Sequence, residues 1–137
     1  MTETDAFARL AAAYAAAWNS GSAEAVASFY ADAGEIVING DGRWVGRDRV
    51  REMVAGFFAN VPDMVLRCDG SRHAGAQAVF LWTFTGHDAT SGKPLTVHGW
   101  EEWRLDCDLK VVASRGWYDA ADYARQAGLG GPDGSAG

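Results

Sequence analysis

The stretch Leu95–Tyr118, LTVHGWEEWRLDCDLKVVASRGWY, reads as two long strands joined by a tight turn at Asp106-Cys107-Asp108. In the first strand Leu95, Val97, Gly99, Glu101, Trp103 and Leu105 alternate with Thr96, His98, Trp100, Glu102 and Arg104. Successive strand side chains point to opposite faces, so the first row is an apolar face interrupted by one carboxylate, Glu101. A bare charge is too costly to bury. Glu101 must therefore find a partner, take up a proton, or line a cavity. The cavity is the working reading, and a carboxylate held by Arg104, Arg115 or a backbone amide is its rival. Apolar walls would raise the carboxyl pKa by desolvation and make it a usable acid or base near neutral pH.

Working outward, the second strand puts Val112, Ser114, Gly116 and Tyr118 on one face, and that row loses bulk at Ser114 and Gly116. His98 sits on the row opposite Glu101 and faces away from the cavity unless a bulge at Gly99 re-aims it. Upstream, Gln77–Thr85 alternates as a strand with Ala78, Phe80, Trp82 and Phe84 on one side. Residues 64–69 read as another strand, 70–75 as a turn, and His87–Pro94 as a polar loop at the cavity mouth. Before Pro62 the period is helical. Residues 5–18 bring Phe7, Leu10, Ala11, Tyr14 and Trp18 to one face, with Thr4 as N-cap. Ser22 caps a short helix to about Tyr30. Glu35–Asn39 is a short strand ended by Asn39-Gly40-Asp41-Gly42. Arg47–Ala59 is a helix with the stripe Val50, Met53, Val54, Phe57 and Phe58. A last helix spans Ala120–Ala127, and the Gly-rich segment 128–137 reads as a disordered tail after one domain, 1–127.

Helices first and antiparallel strands after give an α+β layer fold. The six tryptophans in 137 residues imply an aromatic core or aromatic walls around an apolar ligand. A net charge of −6 with no basic cluster argues against nucleic acid. No apolar run reaches membrane-span length, and the acidic start MTETDAFARL lacks a signal-peptide pattern, so a cytoplasmic protein is expected. Cys68 and Cys107 sit in no zinc or CxxC spacing and read as free thiols. Three histidines without an i, i+4 pair point to no metal. Trp100 and Trp117, if they point outward, make an apolar patch that predicts a homodimer.

The element order, with AAYAAAWNSGSAEAVASFYADAG and the later VGRDRV, resembles the nuclear-transport-factor-2-like superfamily, in the branch of ketosteroid isomerases and SnoaL-like polyketide cyclases. That resemblance covers about residues 5–127. It implies a curved sheet and three N-terminal helices forming a cone around a deep pocket, with a short C-terminal helix, usually as a dimer. It also implies that Tyr14 matches the isomerases' oxyanion-hole phenol, Tyr30 a second pocket tyrosine, and Glu101 their protonated acid. Ile38 stands where the isomerases keep their base, and Gly116 where the aldol-type cyclases keep their carboxylate.

The expected function is a cofactor-independent cyclase, isomerase or dehydratase acting on a polyketide-like or polycyclic carbonyl compound. Glu101 would serve as acid or base and Tyr14 would polarise an oxygen. Trp18, Tyr30, Asn39, Met53, Trp82, Trp103, Tyr118 and His98 are the candidate substrate contacts. The alternative is a dimeric, non-catalytic binder of an apolar small molecule, or an accessory protein of the same fold.

Overall fold

The protein is described by a computed structural model covering residues 3–128. Its elements in chain order are α1 (Glu3–Asn19), α2 (Ala23–Ala27), β1 (Tyr30–Ile38), β2 (Gly42–Val45), α3 (Arg47–Asn60), β3 (Val65–Ala74), β4 (Gln77–His87), β5 (Pro94–Leu105), β6 (Val111–Tyr118) and α4 (Ala120–Ala127). Among these residues the strands form one curved six-stranded sheet in the order β2-β1-β6-β5-β4-β3. Only the β1–β6 pair is parallel. The expected α+β architecture, with helices packed on a mostly antiparallel sheet and a short C-terminal helix, is the one observed.

The alternation read from the sequence organises β5. Leu95, Val97, Gly99, Glu101, Trp103 and Leu105 are buried, and every residue between them is exposed. Facing this row, α1 buries Phe7, Ala11, Tyr14 and Trp18. From α3 come Val50, Met53 and Val54, with Phe57 and Phe58 packed edge-on against the Trp18 ring. The core is an aromatic stack between α1 and the sheet: Phe80 lies parallel to Trp103, and Tyr14 meets both edge-on.

Four local differences from the sequence reading have physical causes. Helix α2 ends at Ala27, and Tyr30 opens β1 instead of closing the helix, because Val111 N–H bonds Phe29 O and draws the chain into the sheet. Strand β2 was not expected; it is four residues of sheet edge after the Asn39-Gly40 turn, in which both residues take positive φ, 54° and 71°, as a tight hairpin of this type demands. Strand β3 continues to Ala74 through a bulge between Cys68 and Gly70, and the true turn is Gly75-Ala76. It is an edge strand, so its polar residues masked it. Helix α1 begins at Glu3, which places Thr4 inside the helix and not at its cap. The tail expected to be disordered lies outside the described residues, except that Gly128 caps α4 in the left-handed conformation. Cys68 and Cys107 are both free thiols, and no described helix is long and apolar enough to cross a membrane.

Candidate active site

Glu101 points inward from the middle of β5 and is 6% exposed. Neither arginine reaches it: Arg104 and Arg115 are exposed on the other face of the sheet. Its partners are neutral donors. Trp103 Nε1–H, Ser114 Oγ–H and Tyr30 Oη–H donate to Oε1 at 3.0, 2.9 and 3.1 Å. Tyr14 Oη–H donates to Oε2 at 3.0 Å and lies 3.2 Å from both Oε1 and the Tyr30 phenol oxygen.

This set balances two opposing effects. Burial disfavours the charged carboxylate and raises the Glu101 pKa, while the four donors pull it down. Burial wins, and the pKa stands above its ordinary 4.5. The phenols of Tyr14 and Tyr30 are pushed well above 10, first by burial and then by the neighbouring carboxyl, so both stay neutral. Either state of Glu101 can be satisfied here. Ionised, it accepts from all four groups. Protonated on Oε2, it closes a ring in which Glu101 donates to Tyr14, Tyr14 to Tyr30, and Tyr30 back to Oε1.

In front of the carboxyl lies a narrow apolar hollow of about 50 Å³. Its walls come from Trp18 of α1, Ile36 and Ile38 of β1, Met53 and Phe57 of α3, and Leu66, Trp82, Phe84, Gly116, Trp117 and Tyr118 of the sheet, with Met64 just before β3. A second, wider hollow of about 570 Å³ adjoins it. The two share Ile38, Met53, Phe57 and Tyr118, and the wider one adds Asn39, Asp41, Trp44, Glu52, Asn60 and Tyr123.

Glycines make the room. At Gly99 an added Cβ would fall 2.4 Å from both Trp117 O and Trp82 Cζ2, so the Trp82 ring can lie over this rung only because no side chain is there. Gly116, directly across the ladder from Glu101, is different: a Cβ there would meet Ile36 Cδ1 and Glu101 Cγ at 3.7 and 3.8 Å, ordinary contact distances. Ile38 pairs with Gly116 in turn, so Ile38, Gly116 and Glu101 form one transverse rung of β1, β6 and β5.

The sequence-derived candidates therefore divide. Trp18, Met53, Trp82, Tyr118 and Glu101 line the inner hollow, and Asn39 lines the outer one. Asn39 also closes the sheet, its Oδ1 accepting from Tyr118 N–H at 2.9 Å. Tyr14, Tyr30 and Trp103 do not line the hollow. They are wholly buried behind the carboxyl and their polar atoms are spent holding it. The Tyr14 phenol, expected from the sequence to polarise a substrate oxygen, is turned toward Glu101 and Tyr30 and does not line the hollow. No bulge re-aims His98: it stays on the outer face, where Nδ1 lies 2.8 Å from Thr83 Oγ1, which donates to Asp69 at 2.5 Å. His87 is likewise tied down, to Asp63 at 2.6 Å. Ser114 escaped the sequence reading as a ligand of Glu101, although a serine on the inward row beside an inward glutamate was its signal. Among the described residues no group of three His, Cys, Asp or Glu is placed to hold a metal.

The SnoaL-like domain family matches this chain over residues 11–113. The chain belongs to that family. No protein of curated function matches it by sequence. Solved structures similar to this SnoaL-like protein include TsrD from Streptomyces laurentii, at 19% identity and a TM-score of 0.80 over 94% of this chain and 99% of that one. Another is a protein of ketosteroid isomerase-like fold from Catenulispora acidiphila, in complex with trimethylamine, at 20% identity and 0.79 over 86% and 91%. A third is the epoxide hydrolase/cyclase-like enzyme SalBIII of salinomycin pyran ring formation, at 14% identity and 0.76 over 89% and 97%. At such identities these likenesses establish the shared fold alone.

Proposed function

We propose that this SnoaL-like protein is a cofactor-independent acid–base enzyme that moves a proton at the carbon beside a carbonyl group, in an apolar polyketide-like or polycyclic compound. The observation that carries this reading is Glu101: among the described residues it is the one carboxyl lining the inner hollow, and burial has raised its pKa. As carboxylate it takes the α-proton, and the electron pair of the broken C–H bond shifts to the carbonyl oxygen. The resulting enolate is reprotonated by Glu101 at a conjugated carbon, which is isomerisation, or attacks a second carbonyl, which is cyclisation. Dehydration begins with the same step. One carboxyl suffices, because the proton it takes is the proton it returns. Ile38 and Gly116, where the resemblance expects carboxylates, share a rung with Glu101, so the proposed chemistry rests on Glu101 alone and the two missing carboxylates favour the second reading below.

Exchange of the α-protons of cyclic ketones with deuterated water, beginning with cyclohexanone, tests the reading. The wild-type protein should accelerate exchange over buffer, and Glu101→Gln should lower that rate by roughly 10²-fold or more. A ketone that binds yet exchanges at the buffer rate favours the second reading, a non-catalytic binder. That reading has its own observation: Oε1 is already saturated by protein donors, and the inner hollow holds only about 50 Å³. We also propose a homodimer through the outer sheet face, where Leu81 and Trp100 are 42% and 41% exposed on one rung.

A further inference from the structure

Glu101 is not held symmetrically. Three donors converge on Oε1: Ser114 Oγ–H at 2.9 Å, Trp103 Nε1–H at 3.0 Å and Tyr30 Oη–H at 3.1 Å. Among the described residues Oε2 has one close donor, Tyr14 Oη–H at 3.0 Å, which also lies 3.2 Å from Oε1. A carboxylate offers about four lone-pair sites, two on each oxygen. Those of Oε1 are filled, and the site left without a protein donor is on Oε2.

The donors also differ in kind. Tyr14, Tyr30 and Ser114 are hydroxyls, each able to turn and to accept as well as donate. They have alternative partners in one another: the Tyr14 and Tyr30 oxygens are 3.2 Å apart, and Ser114 also acts on the Tyr30 phenol. An indole N–H has no such freedom, because it only donates. Nor can the Trp103 ring swing away. It is 1% exposed, stacks on Phe80 at 5.5 Å, and meets Tyr14 and Phe7 edge-on at 5.0 and 6.3 Å. A proton on Oε1 would take a lone pair that three donors already share, and Trp103 is the donor that cannot withdraw. A proton on Oε2 takes an unfilled one. Against burial, which raises the Glu101 pKa, Trp103 is also the strongest of the four opposing donors.

We infer that Trp103 is the positioning residue that makes Oε2 the proton-carrying oxygen of Glu101: its indole N–H keeps Oε1 an acceptor in both states of the carboxyl. The inference rests on the acid–base reading above and names the atom through which that reaction runs. As the α C–H bond of the ligand breaks, an O–H bond forms at Oε2. The negative charge passes from the carboxylate to the carbonyl oxygen of the ligand. Tyr14 turns its hydrogen from Oε2 to the Tyr30 oxygen, so protonation strands no donor, and Trp103, Ser114 and Tyr30 stay on Oε1. The hydroxyls follow the proton, and the indole fixes where it goes.

Nitrogen-15 NMR of the indole N–H groups, with carbon-13 NMR of the Glu101 carboxyl through the same pH titration, tests this on the free protein. Trp103 is assigned from the peak lost in Trp103→Phe, or from its through-space contacts to Phe80 and Tyr14 if that variant folds poorly. The Trp103 N–H should stay downfield at both ends of the Glu101 titration. Trp103→Phe keeps the ring stack and removes the donor. It should raise the pH midpoint of Glu101 by about one to two pH units, the value of one hydrogen bond to a charged group. A residue that served packing alone would leave that midpoint in place. A Trp103 resonance that moves to the position of a free indole on protonation, or an unmoved midpoint in folded Trp103→Phe, would overturn the inference. Deuterium exchange of cyclohexanone keeps the parent reading separate. Exchange that depends on Glu101, with a Trp103 signal that shifts to the free position, removes only the role of Trp103. A fixed Trp103 signal in a protein that binds the ketone without exchanging it removes the acid–base reading and leaves Oε2 as the titrating oxygen.

Discussion

Replacing Glu101 by glutamine removes the charge but keeps the shape of the protonated acid. The amide can donate to Tyr14 as a protonated carboxyl would, so the fold should survive while the pH response changes. Because the folded protein holds the Glu101 proton to higher pH than the unfolded chain does, the native state binds more protons above pH 4.5. Stability from this group is full below that value and declines as pH rises through the folded pKa. The depressed carboxyls of Asp63, Asp69 and Asp88 act in the other direction and in a lower window, below their ordinary 3.8. Scanning calorimetry from pH 4.5 to neutrality should therefore show wild-type Tm falling more steeply than that of Glu101→Gln. Parallel curves would mean that Glu101 is already ionised at the acid end, and the raised pKa would be wrong. The position and burial of this residue were legible in the sequence, because alternation alone sets which face of β5 it shares. Its neighbours were not: no periodicity reveals that Tyr14 and Trp103 spend their polar atoms behind the carboxyl while Trp18 lines the hollow in front of it. That division depends on depth along the pocket axis, which a one-dimensional pattern does not encode.

At the scale of elements, the β5–β6 hairpin builds the hollow by omission. Gly99→Ala would push a methyl against Trp117 O, a backbone atom that cannot yield, and into the Trp82 ring. Overpacking of this kind costs about 1–3 kcal/mol, and here the upper part of that range is expected, read as a lowered denaturation midpoint with an unchanged slope. Gly116→Ala, with 3.7 and 3.8 Å to its neighbours, meets only ordinary contact distances and should cost clearly less than Gly99→Ala. Similar losses at both glycines would show that the asymmetry between the two strands is not what shapes the cavity. The long strands and α3 could be read in advance because their apolar periods run for several turns or rungs. Strand β2 and the second half of β3 could not. One is four residues long and the other is a bulged, polar edge, so neither carries a buried row long enough to register.

For the whole molecule, the convex outer face of the sheet is the remaining apolar surface. Leu81 and Trp100 share a rung there, and Trp117 continues it, half-buried, on β6. Glu102, Arg104, Arg115 and His98 flank the row, giving the apolar centre and charged rim of a contact surface. The dimer expected from the sequence depended on both tryptophans pointing outward. Trp100 does so, whereas the Trp117 ring leans over the β1–β2 turn at Gly40 and offers less area. A stable pair of chains still needs roughly 1,200–2,000 Å² in total, so the contact must extend beyond this row along the sheet. Sedimentation at micromolar concentration should give twice the chain mass for wild type. The pair Leu81→Lys with Trp100→Glu should give a monomer, since burying either charge in the centre of the contact costs more than the lost apolar area alone. The inner hollow is walled from one chain, so cyclohexanone affinity should be retained in that monomer. A wild-type monomer across the same concentrations would leave Leu81 and Trp100 as a solvated patch and end the dimer proposal, without touching the assignment of Glu101.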